Sequence, residues 1–284
     1  MKGIYMSLAF LILGAGCVSY GVAFLLHILS FSEVWKGGHR AGFLMLKAGF
    51  LLGTLYFLSQ GFQSGYFLPV VNMSAALAFF GWALAFVYLV LIGRARTESF
   101  GLFLSLLLFV LMVGSVMSFG RGREIQAMVH DHPYLLNPYF MLHVVSAFFA
   151  YANFAISFIA SVLYLIECRE LKKKTPSNFY YKLPPLERLE KMVCLPLVWG
   201  ALLLLFATAT GLVWAKIALG SYLFLDPKTI MTFVILGCYL LILYRHWVAA
   251  VRGKEMATLS LVAFIVIVVG FIETFFLFGR HNFL

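Results

Sequence analysis

Charge is scarce in this chain. Asp, Glu, Lys and Arg together make up 11% of its residues while hydrophobic residues make up 63%, against roughly 25% and roughly 45–50% in ordinary soluble domains. That imbalance excludes a soluble enzyme or binding module. Also missing are a Walker-type phosphate loop and a dinucleotide fingerprint, which disfavours a nucleotide-driven pump. The four cysteines, Cys17, Cys168, Cys194 and Cys238, form neither a C-x-x-C pair nor the C-x-x-C-H sequence that attaches a c-type haem. A thiol oxidoreductase and a c-type cytochrome are therefore disfavoured, and no disulfide is expected. No Ala-x-Ala-like cleavage site follows the first apolar run, so that run reads as a retained helix rather than a signal peptide. Internal repeats and low-complexity tracts are absent as well.

What the sequence does hold is a series of apolar runs of about 20 residues, each long enough to cross a hydrocarbon core of roughly 30 Å. They predict eight helices at about 5–29, 41–60, 71–92, 99–119, 138–166, 192–215, 229–249 and 257–278. No intervening stretch is large enough to bury a core of its own. The fold class is therefore an all-α integral membrane protein, a single polytopic domain spanning residues 1–284.

The formal charge of +10 is spread through the short connections rather than gathered as on a nucleic-acid-binding face, so no nucleic-acid partner is expected. Alternate connections hold fourteen Lys and Arg on one side and six on the other. The positive-inside rule makes the richer side cytoplasmic and puts both termini outside. The basic linker at about 167–191, with Pro176, Pro184 and Pro185, then lies in the cytoplasm and reads as a connection between two groups of helices. Topology and contact with anionic membrane lipid account for its charge, and docking of a cytosolic partner is the other reading.

This topology sorts the histidines. His143 lies about a turn inside the outer end of the fifth helix and His281 just beyond the eighth, while His27 and His246 lie near the inner ends of the first and seventh. His130 and His132 fall in an outer loop, and His39 falls in the first cytoplasmic one. A neutral imidazole is a good axial ligand for haem iron, and two facing imidazoles fill both axial positions. The outer pair His143 and His281 and the inner pair His27 and His246 each meet the depth requirement. A histidine at a helix end also serves simply by bonding water or a carbonyl at the interface. Glu273, inside the eighth helix, is costly in lipid and should face the bundle, either hydrogen-bonded there or in a proton-relay or ligand-supporting role.

The outer segment from Trp214 to Lys228 is the most informative. Trp214, Tyr222 and Phe224 are its aromatics, and Asp226 before Pro227 suits a helix cap followed by the first helical position. Interfacial anchoring explains the same aromatics. The run V-W-A-x-x-x-x-G-x-Y-x-x-x-D-P-K resembles the WWD loop of haem-handling membrane proteins of cytochrome c assembly, nearest to the CcsA, ResC and HemX-like branch. Pro69-Val70-Val71-Asn72-Met73-Ser74, followed by Phe79, Phe80, Trp82 and Tyr88, is similar to that family's P-x-x-N-x-x-E-x-x-x-F-x-x-W segment. Tyr244-Arg245-His246 matches its Y-x-H context.

The resemblance implies a loop that holds haem b, as cargo, on a flat aromatic surface at the outer face. His143 and His281 would flank it as axial ligands, with Trp214, Tyr222, Phe224 and Asp226 in the loop and His246 toward the cytoplasm. It also implies a bacterial inner-membrane protein acting as a delivery or assembly subunit, cytochrome c synthase-like rather than a stand-alone enzyme. Apocytochrome c and a second, CcsB-like maturation subunit would be its partners. Arg121, Arg123, Lys216, Lys228 and Arg280 would be available to the haem propionates, or would simply be solvated. The sequence departs from the fuller loop by carrying Leu219, Leu223 and Phe224 where further tryptophans stand. It also lacks the glutamate of the upstream segment and ends on Gly279-Arg280-His281-Asn282. These departures resemble the HemX-like branch, linked to control of tetrapyrrole synthesis, and speak for haem contact more than haem attachment. A haem-free transporter or scaffold is the third reading.

Overall fold

The computed structural model describes the backbone of residues 2–64, 70, 72–91, 98–120, 136–175, 180–222 and 227–277, with side chains except at 2–7, 219, 227–228 and 271–277. Among the described residues the secondary structure is helical throughout, with no strand. The long helices are α1 (Lys2–Phe31), α2 (Gly38–Ser64), α3 (Met73–Leu91), α4 (Glu98–Ser118), α5 (Pro138–Glu170), α6 (Leu186–Leu219), α7 (Pro227–Trp247) and α8 (Gly253–Leu277), with a short 3₁₀ turn at Tyr180–Lys182. Each of the eight contains a segment long and apolar enough to cross a membrane. The chain is thus an all-helical multi-pass membrane protein, with every span close to its expected place.

Two helices run into the expected basic linker. α5 continues to Glu170 and α6 starts at Leu186, inside the segment expected to be linker. Hydropathy alone misses these turns because they are polar on one side. Leu189 is fully buried while Glu187 and Lys191 pair at 2.8 Å one turn apart in water. A helix of 34 residues is about 50 Å long, so its charged start projects past the hydrocarbon. Pro185 precedes the first helical turn of α6, and Pro227 opens α7, where a missing N–H costs nothing.

The helices form two compact units, Met1–Leu136 with Tyr181–Leu183, and Asn137–Tyr180 with Pro184–Leu284. The fifth helix therefore groups with the last three, so the break falls before α5 rather than at the basic linker. In lipid there is little hydrophobic drive between helices, and close packing and buried hydrogen bonds hold them together. In the first unit Trp82 stacks on Phe50 and Phe79 at centroid distances of 5.4 and 5.6 Å, and its indole N–H donates to Thr54 Oγ1 at 2.9 Å. Ser74 and Ser115 each donate to the other's backbone carbonyl and so tie α3 to α4. In the second unit Phe154 stacks on Tyr239 at 3.6 Å, and Ser157 donates to Val193 O at 2.8 Å. Ser157 also lies 2.8 Å from Ser260, so α5, α6 and α8 meet at one buried polar point.

Contacts at the helix ends put the charge-rich connections together within each unit. In the first, Lys182 reaches the Glu33 carboxylate at 2.9 Å and the carbonyl of Phe31. In the second, the N–H of Gly253 donates to Glu190 Oε1 at 3.1 Å. These loops were expected to share one membrane face.

Candidate functional site: three histidines on backbone carbonyls

α5 begins where the local chemistry dictates. Pro138 occupies the first turn, and the Asn137 side-chain oxygen accepts from the N–H of Tyr139 at 2.9 Å. The next turns place Phe140 and His143 against α6, which runs the other way. Descending α6 toward its end, Ala207, Gly211 and Trp214 lie on the facing side. Phe140 meets Trp214 at a centroid distance of 5.0 Å, tilted by 46°. Half-buried His143 places Nδ1 2.7 Å from the carbonyl oxygen of Ala207. Gly211 adjoins the same ring edge, since a Cβ there would lie 2.5 Å from Nδ1.

α6 ends on Gly220, whose φ of 73° suits glycine and whose N–H donates to Lys216 O at 3.1 Å. Lys216 folds back over this turn. Its ammonium donates to Gly220 O at 3.0 Å and stands 5.3 Å from the centre of the Tyr222 ring. One of the five cations proposed for propionate contact is therefore held at the start of the aromatic loop.

His246, in the last turn of α7, has Nδ1 2.9 Å from the carbonyl of Val251. The turn beyond it is tied by Val251 N–H to Arg245 O and by the Arg245–Glu255 ion pair. His27 belongs to the first unit and is 1% exposed. Its Nδ1 is 2.7 Å from Ala23 O, and its Nε2 has no hydrogen-bond partner among the described residues. The His27 ring fills a slot between Gly42 of α2 and Gly101 of α4, where a Cβ would come within 2.8 Å and 2.5 Å of it. The atom nearest Gly101 is Nε2. His39 stands edge-on to His27 at 5.6 Å between centroids.

A carbonyl oxygen only accepts, so in all three histidines the short contact assigns the proton to Nδ1. Nε2 is then the basic nitrogen, the one a metal binds, and the carbonyl raises its donor strength. At His143 that nitrogen belongs to the edge away from Gly211. At His27 it faces the α4 backbone, so iron has no approach to it unless α4 moves.

Phe224, Asp226 and His281 lie outside the described residues, as do His130, His132, Arg121, Arg123 and Arg280. The side chains of Lys228 and Glu273 lie outside them too. The structure brings His143 together with Trp214 through Phe140, and brings His27 together with His39. Sequence reasoning missed Phe140, Ala207, Gly211, Gly42 and Gly101. The signal for the α6 residues was the run Ala207-Thr208-Ala209-Thr210-Gly211, small throughout and opposite a histidine.

The family model described as Cytochrome C assembly protein matches residues 70–278. The chain is 27% identical to Protein HemX of Brevibacillus brevis over 89% of its own length and 91% of the relative's. It is 26% identical to Protein HemX of Bacillus subtilis (strain 168), over 89% and 90%. It is also 26% identical to the cytochrome c biogenesis protein CcsA of Prochlorococcus marinus, over 92% and 91%.

Proposed function

The chain belongs to the Cytochrome C assembly protein family, and on that footing we propose that it serves cytochrome c biogenesis by holding haem at the outer membrane face for delivery to an apocytochrome. The observation that carries this reading is the His143 imidazole, with its Nδ1 proton on Ala207 O at 2.7 Å and the Phe140–Trp214 aromatic pair one turn away. A ligand with a flat apolar ring and a central metal needs such a combination, a neutral nitrogen base next to aromatic surface. Haem is cargo here. The acceptor cysteines belong to the apocytochrome, and a second maturation subunit would present it.

In this reading His281 is the opposite axial ligand, and Tyr222, Phe224 and Asp226 continue the surface begun by Trp214. Lys216, already held over Tyr222, meets one propionate. His246 receives haem on the cytoplasmic side. His27 would offer its Nε2 to a ligand only through a displacement of α4, because Gly101 covers it.

The test is a visible and EPR spectrum of the full-length protein in detergent, as purified and after haem titration. Wild type is expected to give a Soret band and a low-spin signal, and His143→Ala with His281→Ala to lose the low-spin signal. No Soret band even after loading would overturn the proposal.

A second reading is favoured by the two HemX relatives, each matched over nearly its whole length. The protein would then act as a membrane regulator of tetrapyrrole synthesis through its cytoplasmic loops. Delivery predicts that cells carrying the double histidine variant lose holocytochrome. Regulation predicts that they keep holocytochrome and that loop variants change the level of haem precursors.

A further inference from the structure

Gly211 sits well inside α6, eight residues before its end, where glycine is the poorest helix former after proline. A helical Cβ tilts toward the N-terminus and covers the preceding turn, so a side chain at 211 would stand between the Ala207 carbonyl and whatever approaches it from α5. His143 is what approaches. A Cβ at 211 would lie 2.5 Å from its Nδ1, 2.9 Å from Cε1 and 3.2 Å from Cγ. Two ring atoms would lie under 3.0 Å from it, so a side chain at 211 moves the imidazole from this position. By contrast, Gly237 of α7 has nothing within 4 Å of the same position.

The surrounding bonds support the same arrangement. Ser146, one turn further along α5, donates to the carbonyls of Leu142 and His143, at 3.2 Å for the latter, and fastens the backbone that carries the ring. Thr210 Oγ1 donates to Phe206 O at 2.9 Å and to Ala207 O at 3.1 Å, so the oxygen facing His143 is held from its own helix too. Ala207 itself is almost wholly buried. Water therefore does not compete for that carbonyl, and the imidazole proton has one acceptor.

We propose that Gly211 and the Ala207 carbonyl form a socket that fixes His143 in its Nδ1-protonated form and aims Nε2 at an axial ligand position. Gly211 is a positioning residue that acts through His143. The inference deepens the haem reading and rests on it for the purpose of the socket, but the tautomer is measurable without haem.

The experiment has two arms on the full-length protein. In the first, nitrogen-15 NMR of histidine-labelled, haem-free protein, assigned by difference against His143→Gln, reads the protonated ring nitrogen. Wild type and Gly237→Ala are expected to show protonated Nδ1, and Gly211→Ala to lose it. A wild-type His143 protonated at Nε2, or a Gly211→Ala protein with the wild-type pattern, would overturn the socket whatever haem does. Once His143→Gln has assigned the signal, the wild-type result decides even if Gly211→Ala fails to fold.

In the second arm the same proteins are loaded with haem b. Gly211→Ala is expected to shift the low-spin EPR g-values and to speed haem loss to apomyoglobin. Gly237→Ala is expected to match wild type. Unchanged g-values and loss rate in Gly211→Ala, with His143→Ala losing its low-spin signal, would overturn the socket and leave haem ligation standing. A spectrum unaffected by His143→Ala would instead overturn the haem reading.

Discussion

His143 and Ala207 are joined across α5 and α6 by a hydrogen bond of 2.7 Å from ring nitrogen to backbone oxygen. The carbonyl is available because the helix turn over it ends in Gly211, and the ring is at the right height because Asn137 and Pro138 start α5 two turns earlier. Five residues thus combine to turn an interfacial histidine into an oriented base.

The inner histidine gives a prediction independent of the outer one. His246→Ala is expected to reduce the haem bound per protein in cells while the spectrum of haem added from outside stays at wild type. Haem quantification after purification, with and without reloading, checks this. Equal haem content in both would remove His246 from the proposed path.

Trp82 and Thr54 offer a test of buried polar pairing. Trp82→Phe keeps most of the stack on Phe50 and Phe79 but loses the indole N–H bond at 2.9 Å, at a cost of about 0.5–1.5 kcal/mol. Thr54→Val removes the hydroxyl acceptor while keeping the buried indole donor, and the cost rises to about 1–3 kcal/mol. Unfolding in mixed detergent measures both, and the order Thr54→Val worse than Trp82→Phe is the expected outcome.

Asn72 caps α3, its side-chain oxygen accepting from Ala75 N–H at 2.8 Å. Asn72→Ala is expected to cost about 1 kcal/mol, and Asn72→Asp to be neutral or better, since a carboxylate also suits the helix dipole. Thermal unfolding with hydrogen exchange at the start of α3 checks both. A larger loss of haem than of stability would instead point to a role in the site.

Glu33 and Lys182 define a pH-dependent tie. The hydrogen bond from Lys182 and its charge, reinforced by Lys36, hold the Glu33 carboxyl below its ordinary value of 4.5. The tie is therefore fully present above that ordinary value and is lost as pH falls through the lowered one. The protection factor for hydrogen exchange at Tyr181–Leu183, taken against the intrinsic rate at each pH, is expected to stay constant from neutral pH down to the ordinary carboxylate range and to fall below it. In Glu33→Gln it should be lowered at every pH and show no such step. The pair is exposed on the Glu33 side, so the readout is local opening rather than global stability.

Gly200 tests packing in the second unit. A Cβ there would lie 2.5 Å from Phe154, whose ring is stacked on Tyr239 at 3.6 Å. Since moving the ring would disturb that stack, Gly200→Ala is expected to destabilise by about 1–3 kcal/mol, read as a lower unfolding midpoint. Gly237→Ala, in open space, should not.

The eight spans were legible because crossing a membrane requires an apolar run of a definite length, which is a property of local sequence. The helix start at Pro227 was local too. The polar first turns of α6 were not, because Leu189 is buried by what it meets rather than by its neighbours in the chain. The grouping of α5 with the last three helices was hidden for the same reason, since loop length and charge say nothing about which faces interlock.

Of the site, residue type and depth were enough to mark His143, His281, His27 and His246 as candidates, while the family resemblance added Trp214 and put His27 last. What those residues do to one another depended on the tertiary structure. Only there does Ala207 become an acceptor for His143, Phe140 a partner for Trp214, and Gly101 a cover over the Nε2 of His27. Span length and charge bias are set by contact with lipid and water, which every residue feels alone. Tautomer, orientation and access are set by a second helix, and by where that helix has no side chain.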